Sequence, residues 1–156
     1  MSELTPIRFK IPISVLVVVH TPALEVLLLE RADWPGFWQS VTGSIEHEGE
    51  PLRETAVREV REETGIDAAR YPLLDWERQN LFEIFKKRLT RYAPGVTHNT
   101  EHVFSLAVPE PVDIVLAPNE HTDYLWLPWR EAAAKCLSWS NRDAILLLPE
   151  KLAADA

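Results

Sequence analysis

The 156-residue sequence predicts an α/β sandwich built on a mixed sheet. Strand-like runs open the chain and recur late in it, while helical patterns stand at its centre and its end. The composition agrees, with 46% hydrophobic and 26% charged residues, ordinary for a globular chain long enough to bury a core. One domain spanning residues 1–156 is therefore expected.

Residues 11–20 are β-branched and dense in valine, the composition of a buried strand. Thr21-Pro22 marks a turn, and EVLLLE at 25–30 fits a second strand paired with the first. Residues 38–42 suit a short strand entering Gly43. Residues 51–64 read as a helix: Pro51 is tolerated in a first turn, and Gly65 stands where a helix usually stops. Further strands are expected at 81–85, 102–108, 113–116 and 123–127. Helical patterns close the chain at 129–136 and 141–152, the second with Ser140 or Asn141 able to cap its start.

The formal net charge is -8, which disfavours a nucleic-acid polymer as partner because such partners call for clustered Lys and Arg. A small polyphosphate remains compatible where metal ions or local cations supply positive charge. Cys136 is the single cysteine. An intrachain disulfide and a cysteine-based zinc cage are thereby excluded, and a lone small thiol suits a reducing cytoplasm. Residues 1–10 lack the charged head and apolar stretch of a leader. The apolar run 13–19 falls far short of the ~20 residues a membrane helix needs. A cytoplasmic protein with no membrane partner is the expectation.

The stretch that carries chemistry is GSIEHEGEPLRETAVREVREETGI, residues 43–66. Residues three and four apart share a helix face, so Glu59, Glu62 and Glu63 lie together, with Glu59 and Glu63 one turn apart. Leu52, Ala56 and Val60 form a separate apolar stripe able to pack on a sheet. Clustered carboxylates repel unless cations neutralise them. Hard divalent ions with oxygen ligands do this, and magnesium is the one most used with phosphates. Two such ions ~4 Å apart could bracket a scissile linkage. Glutamates at this spacing are more often a solvated face, here beside Arg53, Arg58 and Arg61. The longer pattern around them changes that reading.

Glu50, then seven residues, then Arg58-Glu59-Val60, Glu62-Glu63, Gly65 and Ile66 resemble the Nudix signature. The one departure is six residues between Gly43 and Glu50 where the family has five. A loop absorbs an extra residue at small cost, so a bulge is expected and the site is retained. The resemblance implies a Nudix-type α/β/α sandwich with a mixed β-sheet, and hydrolysis of a nucleoside diphosphate linked to another group. It implies Glu59 and Glu63 as metal ligands, and Glu62 as a third ligand or a base acting through water. Arg58 would orient the neighbouring carboxylates by bidentate hydrogen bonding. The implied cofactor is Mg2+, with Mn2+ possible, polarising phosphoryl oxygens and lowering the pKa of a bound water.

Outside the signature, FWQSVTGS (37–44), FEIF (82–85), RYAPGVT with NTE (91–101), Glu120-His121 and SWSNR (138–142) resemble one Nudix subfamily. That subfamily hydrolyses dihydroneopterin triphosphate in folate biosynthesis and also cleaves deoxynucleoside triphosphates such as dATP. By resemblance, Lys10, Arg31 and Thr42 would contact substrate, the cations at phosphate oxygens and Thr42 through its hydroxyl. Phe82, Glu83, Ile84 and Phe85 would flank a flat heterocycle. Arg91 and Tyr92 would come from a loop closing over the triphosphate tail, Ser138 would add a polar contact, and Glu120 would be a further metal ligand. Singly, these residues also read as ordinary surface, core or helix-start positions; the basic cluster Lys86, Lys87, Arg88 and Arg91 reads either as a loop presenting cations to the triphosphate or as a solvated strand end, the second favoured for the lysines. His121 could shuttle a proton, although a lone loop histidine is more often exposed. The expected partner is a small-molecule triphosphate: 7,8-dihydroneopterin triphosphate, yielding the monophosphate and pyrophosphate. The alternatives are dATP or nucleoside triphosphates in general. A non-catalytic ligand sensor on the same fold would not need Glu59, Glu62 and Glu63, and all three are present.

Overall fold

The computed structural model describes residues 8–155; residue 156 and residues 1–7, read above for a leader, lie outside them. A seven-stranded mixed sheet is centred on β1 (Ile13–His20). β1 runs parallel to β6 (His98–Ala107) along its whole length, from Ile13 opposite Thr100 to His20 opposite Ala107. It is antiparallel to β2 (Glu25–Arg31) and to β4 (Val41–Ser44). β2 also pairs with β3 (Trp38–Gln39) and β7 (His121–Pro128), while β5 (Leu73–Glu83) forms the other edge beside β6.

The valine run of β1 follows from this central place. Val15, Val17 and Val19 enter one core, and Leu16 and Val18 enter the other. A strand covered on both faces needs no polar alternation. Helix α1 (Leu52–Thr64) brings Ala56 and Val60 to the first core. Helices α2 (Trp129–Lys135) and α3 (Trp139–Asp155) bring Ala132, Ala133, Ala144, Ile145 and Leu148 to the second. Helices on both faces of a mixed sheet make the α/β/α sandwich that the sequence predicts. Among the described residues, no helix is long and apolar enough to cross a membrane.

Several boundaries differ from expectation for physical reasons. Residues 113–116 form no strand: Ile114 points into the first core while Val115 lies open, and the Val115 N–H caps α1 at the Thr64 carbonyl (2.9 Å) instead of joining a ladder. The stretch 38–42 divides into β3 and β4 at Ser40, whose N–H donates to Asn141 Oδ1 at 2.8 Å. β5 begins at Leu73, well before residue 81. A bulge between Asp75 and Gln79, with Glu77 at φ 52, scrambles the alternation that would have revealed it. Ser140 and Asn141 are buried inside the first turn of α3, and Ser138 Oγ accepts from the Asn141 N–H at 3.5 Å. α1 meets expectation, with Pro51 at its N-cap and Gly65 in the left-handed conformation at φ 78.

Candidate active site

A cavity of about 990 Å³ opens at the end of the sheet where β1 and β6 begin and β2 and β5 finish. One wall is the polar face of α1. Glu59 and Glu63, one turn apart, are only 8% and 3% exposed and crowd each other's charge. Burial raises both carboxyls, the nearby Glu59 raises Glu63 further, and Glu120 adds to the push. The pair sits against β4 because Gly43 has no side chain: a Cβ built there would fall inside the Glu59 carboxylate.

Arg58 organises this wall. Its Nη1 donates to Glu59 Oε1 at 2.8 Å, and its Nε and Nη2 fork onto Glu50 at 3.2 and 2.9 Å. Burial works against its charge, but Glu50 and Glu59 outweigh it and hold the guanidinium above its ordinary range. Glu50 is in turn held down to about 2, first by Arg58, with the Glu46 N–H and the Thr55 hydroxyl assisting. The extra loop residue is taken up in a turn closed by the Glu50 N–H on the His47 carbonyl, with Gly49 at φ 81. Glu50 thereby keeps its register on Arg58.

Among the described residues, no three His, Cys, Asp or Glu side chains are grouped closely enough to hold an ion as they stand. Glu62 turns outward, its side chain 48% exposed and 3.6 Å from Arg58. Glu120 is exposed on the turn before β7. Glu59 and Glu63 do converge, and Glu63 Oε1 is buried without any hydrogen-bond partner. A buried pair of hard oxygen donors with one orphaned atom fits a divalent cation.

A second wall is cationic. Arg31 forks onto Asp33 through Nε and Nη2 at 2.9 and 3.2 Å, and Arg91 reaches the same carboxylate at 3.0 Å. Hydrogen bonding from Arg31 drives Asp33 well below the usual carboxylate range. Arg88 stands 3.6 Å from Asp33, yet its Nε and Nη2 find no hydrogen-bond partner; burial and Arg31 lower it to about 10. Lys10 lines the cavity beside them and is lowered by desolvation and by crowding from Arg91 and Arg31. Burial raises the Tyr92 phenol, which lines the same region, and Arg88 and Arg91 oppose it. Arg88, which the sequence left between a phosphate-facing loop and a solvated strand end, lines the cavity as an unsatisfied cation. Asp33, their shared counter-ion, drew no notice in the sequence because a single aspartate in a turn carries no periodic signal.

The remaining positions complete the lining. Phe82, Glu83, Ile84 and Phe85 all border the cavity. Phe85 is half exposed and meets Trp34 and Phe37 edge-on, at ring distances of 5.2 and 5.8 Å, so it is rim and not core. Ser138 does two jobs, lining the cavity and capping α3, with its Oγ 3.1 Å from that of Ser140. The Thr42 hydroxyl already donates to the Val15 carbonyl at 3.0 Å, leaving only lone pairs toward the cavity. His121 is buried, contrary to the exposed-loop expectation. Gln39 Nε2 lies 3.0 Å from its Nε2, and burial with the Arg31 charge pushes it down to about 4, so it is neutral near pH 7.

The cavity therefore joins a buried carboxylate pair, a cluster of cations and a partly apolar wall. Comparison with known proteins agrees. At 51% identity over 140 residues, 88% of this chain and 91% of the relative, the sequence is similar to the dihydroneopterin triphosphate diphosphatase of Escherichia coli. It is 39% identical over 150 residues to the enzyme of that name from Haemophilus influenzae, covering 92% and 93% of the two chains. The solved structure of the E. coli dihydroneopterin triphosphate pyrophosphohydrolase superposes with a TM-score of 0.82 at 50% identity, over 88% of this chain and 94% of that one. The NUDIX domain profile matches residues 10–148, and the chain belongs to this family as a Nudix hydrolase.

Proposed function

We propose that this chain hydrolyses 7,8-dihydroneopterin triphosphate to dihydroneopterin monophosphate and pyrophosphate, a step of folate biosynthesis in the cytoplasm. Mg2+ is the proposed ion, with Mn2+ able to replace it. The observation that carries the substrate is the 51% identity to the E. coli diphosphatase over 88% of the chain. The reaction class rests on the buried Glu59–Glu63 pair.

In this reading Glu59 and Glu63 hold the divalent ion, with Glu120 as a third ligand from across the cavity. When bound, that ion supplies Lewis-acid polarisation of phosphoryl oxygens and acidifies water. Arg58, locked by Glu50, keeps the Glu59 carboxylate aimed. Glu62, its side chain 48% exposed, is free to turn and accepts the proton of the attacking water. Lys10, Arg31, Arg88 and Arg91 bind the triphosphate oxygens, where charge stabilisation and alignment carry most of the rate. Asp33 keeps these cations from repelling one another until phosphate shares them. Tyr92, Ser138 and the lone pairs of Thr42 add polar contacts, while the 82–85 segment walls the ring.

The test is kcat/KM for 7,8-dihydroneopterin triphosphate against dATP and the other deoxynucleoside triphosphates with saturating Mg2+. The dihydroneopterin compound is expected to lead. A clear preference for another triphosphate overturns the substrate, and no metal-dependent pyrophosphate release from any of them overturns the class.

A further inference from the structure

Two buried acceptor oxygens on the cavity wall have no part in the chemistry described so far. Among the described residues, Glu101 Oε1 and Asn99 Oδ1 have no hydrogen-bond partner, and their residues are only 4% and 2% exposed. Both residues line the cavity. A buried polar atom without a partner is rare and costs ~1–3 kcal/mol, so each one asks for a ligand. An acceptor asks for an N–H or O–H.

Alternate residues of a strand share a face, so Asn99 and Glu101 on β6 project on the side of Val103. At Val103 that face is apolar core; toward the cavity it turns polar, with Glu101 between Ser14 on β1 and Asn80 on β5, and Phe82 beside Asn99. Asn99 Nδ2 donates to Ser14 Oγ at 2.7 Å, which leaves its carbonyl oxygen unused. Burial pushes the Glu101 carboxyl up to about 7, while Ser140 and Asn80 favour its charged form. With or without its proton, a carboxyl keeps an oxygen able to accept an N–H. Leu16, Phe82 and Trp139 line the same cavity and offer apolar walls to a flat ring. An acidic group buried in this way has no use against phosphate, which it would repel, and no place among the proposed metal ligands.

We infer that Glu101, with Asn99 beside it, accepts hydrogen bonds from the exocyclic amine of the substrate's ring, and that this amine is the group by which the site recognises a heterocycle. An exocyclic amine is what adenine and a pterin have in common. The atoms flanking it differ, since a pterin sets a cyclic N–H beside its amine and adenine sets a bare ring nitrogen there. A wall that reads the amine takes both rings, and it disfavours a ring of the same shape that carries hydrogen in the amine's place. An amine-bearing ring satisfies the two orphaned oxygens, whereas a ring without one seals them from water unpaired. The inference rests on the triphosphate hydrolase reading of this cavity and names the group that its ring wall recognises.

Two probes decide the matter: dATP and purine 2′-deoxyriboside triphosphate, which has hydrogen where dATP has its amine, each with Mg2+ at pH 8. The wild-type protein is expected to favour dATP by ~10- to 100-fold in kcat/KM, mainly through KM. Glu101→Met, of similar volume but without a strong acceptor, is expected to bring that ratio within ~3-fold of unity. Glu101→Gln, nearest in shape and able to accept without a charge, is expected to fall between the two. A wild-type protein that treats both probes alike overturns the inference without any variant. The wild-type ratio retained in Glu101→Met, or in Glu101→Gln should the methionine variant fail to fold, overturns the assignment to Glu101. So does an equal fall for both probes, the mark of a structural role. No turnover of either probe would overturn the hydrolase reading and this inference with it. The ratio is readable even if dihydroneopterin triphosphate proves a poor substrate, so the substrate assignment and the amine inference can fail separately.

Discussion

Gly43→Ala puts the approach of β4 to the carboxylate helix under direct test. The added methyl group falls inside the Glu59 carboxylate, nearer to its carbon and both oxygens than real Cβ atoms come. Glu59 has little room to swing away, because it is only 8% exposed and Arg58 Nη1 holds its Oε1 at 2.8 Å. Either the carboxylate leaves its place, or β4 and α1 move apart. Overpacking of this kind costs ~1–3 kcal/mol, which in a domain of this size lowers Tm by ~2–12 °C. The loss of rate should be larger, since a misplacement of ~1 Å costs ~10²-fold. The assay is kcat at saturating Mg2+ beside thermal unfolding in EDTA, with Gly95→Ala as control. Gly95 has φ 91 and nothing within 4 Å of a built Cβ, so that variant is expected to lose ~1–2 kcal/mol of stability from left-handed strain, without the collapse in rate. If Gly43→Ala turned over near the wild-type rate, the position of the Glu59 carboxylate would not matter to the reaction and its proposed role would fall.

Other perturbations separate the remaining parts. Glu59→Gln or Glu63→Gln should cut kcat by ~10³-fold or more while raising metal-free Tm, because a buried, mutually repelling pair is relieved; near-native turnover in either would refute the ligand assignment. Arg58→Lys should lower kcat by ~10-fold or more, since one ammonium cannot hold both Glu50 and Glu59 as the fork does; a variant indistinguishable from wild type would show the fork to be dispensable. Stability should also depend on pH through Glu101. Its folded pKa is raised to about 7 from an ordinary value of 4.5, so its contribution is fully present below pH ~4.5 and is lost as pH rises through ~7. That gap corresponds to ~3 kcal/mol. Glu101→Gln, compared with wild type by urea unfolding in EDTA at pH 5 and pH 8, should therefore gain most at pH 8, and a pH-independent difference would contradict the burial of an ionisable carboxyl there.

The parts of the site visible in the sequence were those with a rhythm. Glu59, Glu62 and Glu63 on one face of a helix, and the apolar stripe of Ala56 and Val60 on another, follow from 3.6-residue periodicity. The two-sided burial of β1 follows from an unbroken Val/Ile/Leu run. Gly65 as helix stop follows from its freedom to take φ 78. What stayed hidden depends on pairings far apart in the chain. Asp33 gathers Arg31, Arg88 and Arg91 only because β2 and the 86–91 segment meet across the cavity. Glu101 sat in a recognisable string, but its burial between Ser14 and Asn80 exists only once β1, β5 and β6 are in register. The strand over 73–80 was masked by its bulge and charged residues, and residues 113–116 had the composition of a strand without a neighbour to pair with. Single residues such as Asp33 and Glu101 owe their surroundings to tertiary placement, which no local pattern records.

The most direct measurement of the central proposal is 31P NMR of 7,8-dihydroneopterin triphosphate during turnover, with and without Mg2+, by the wild-type protein and by Glu63→Gln. Pyrophosphate and dihydroneopterin monophosphate appearing together, only with the divalent ion and only with Glu63 intact, is the expected result. Orthophosphate with a diphosphate product, or equal turnover in EDTA, would contradict it.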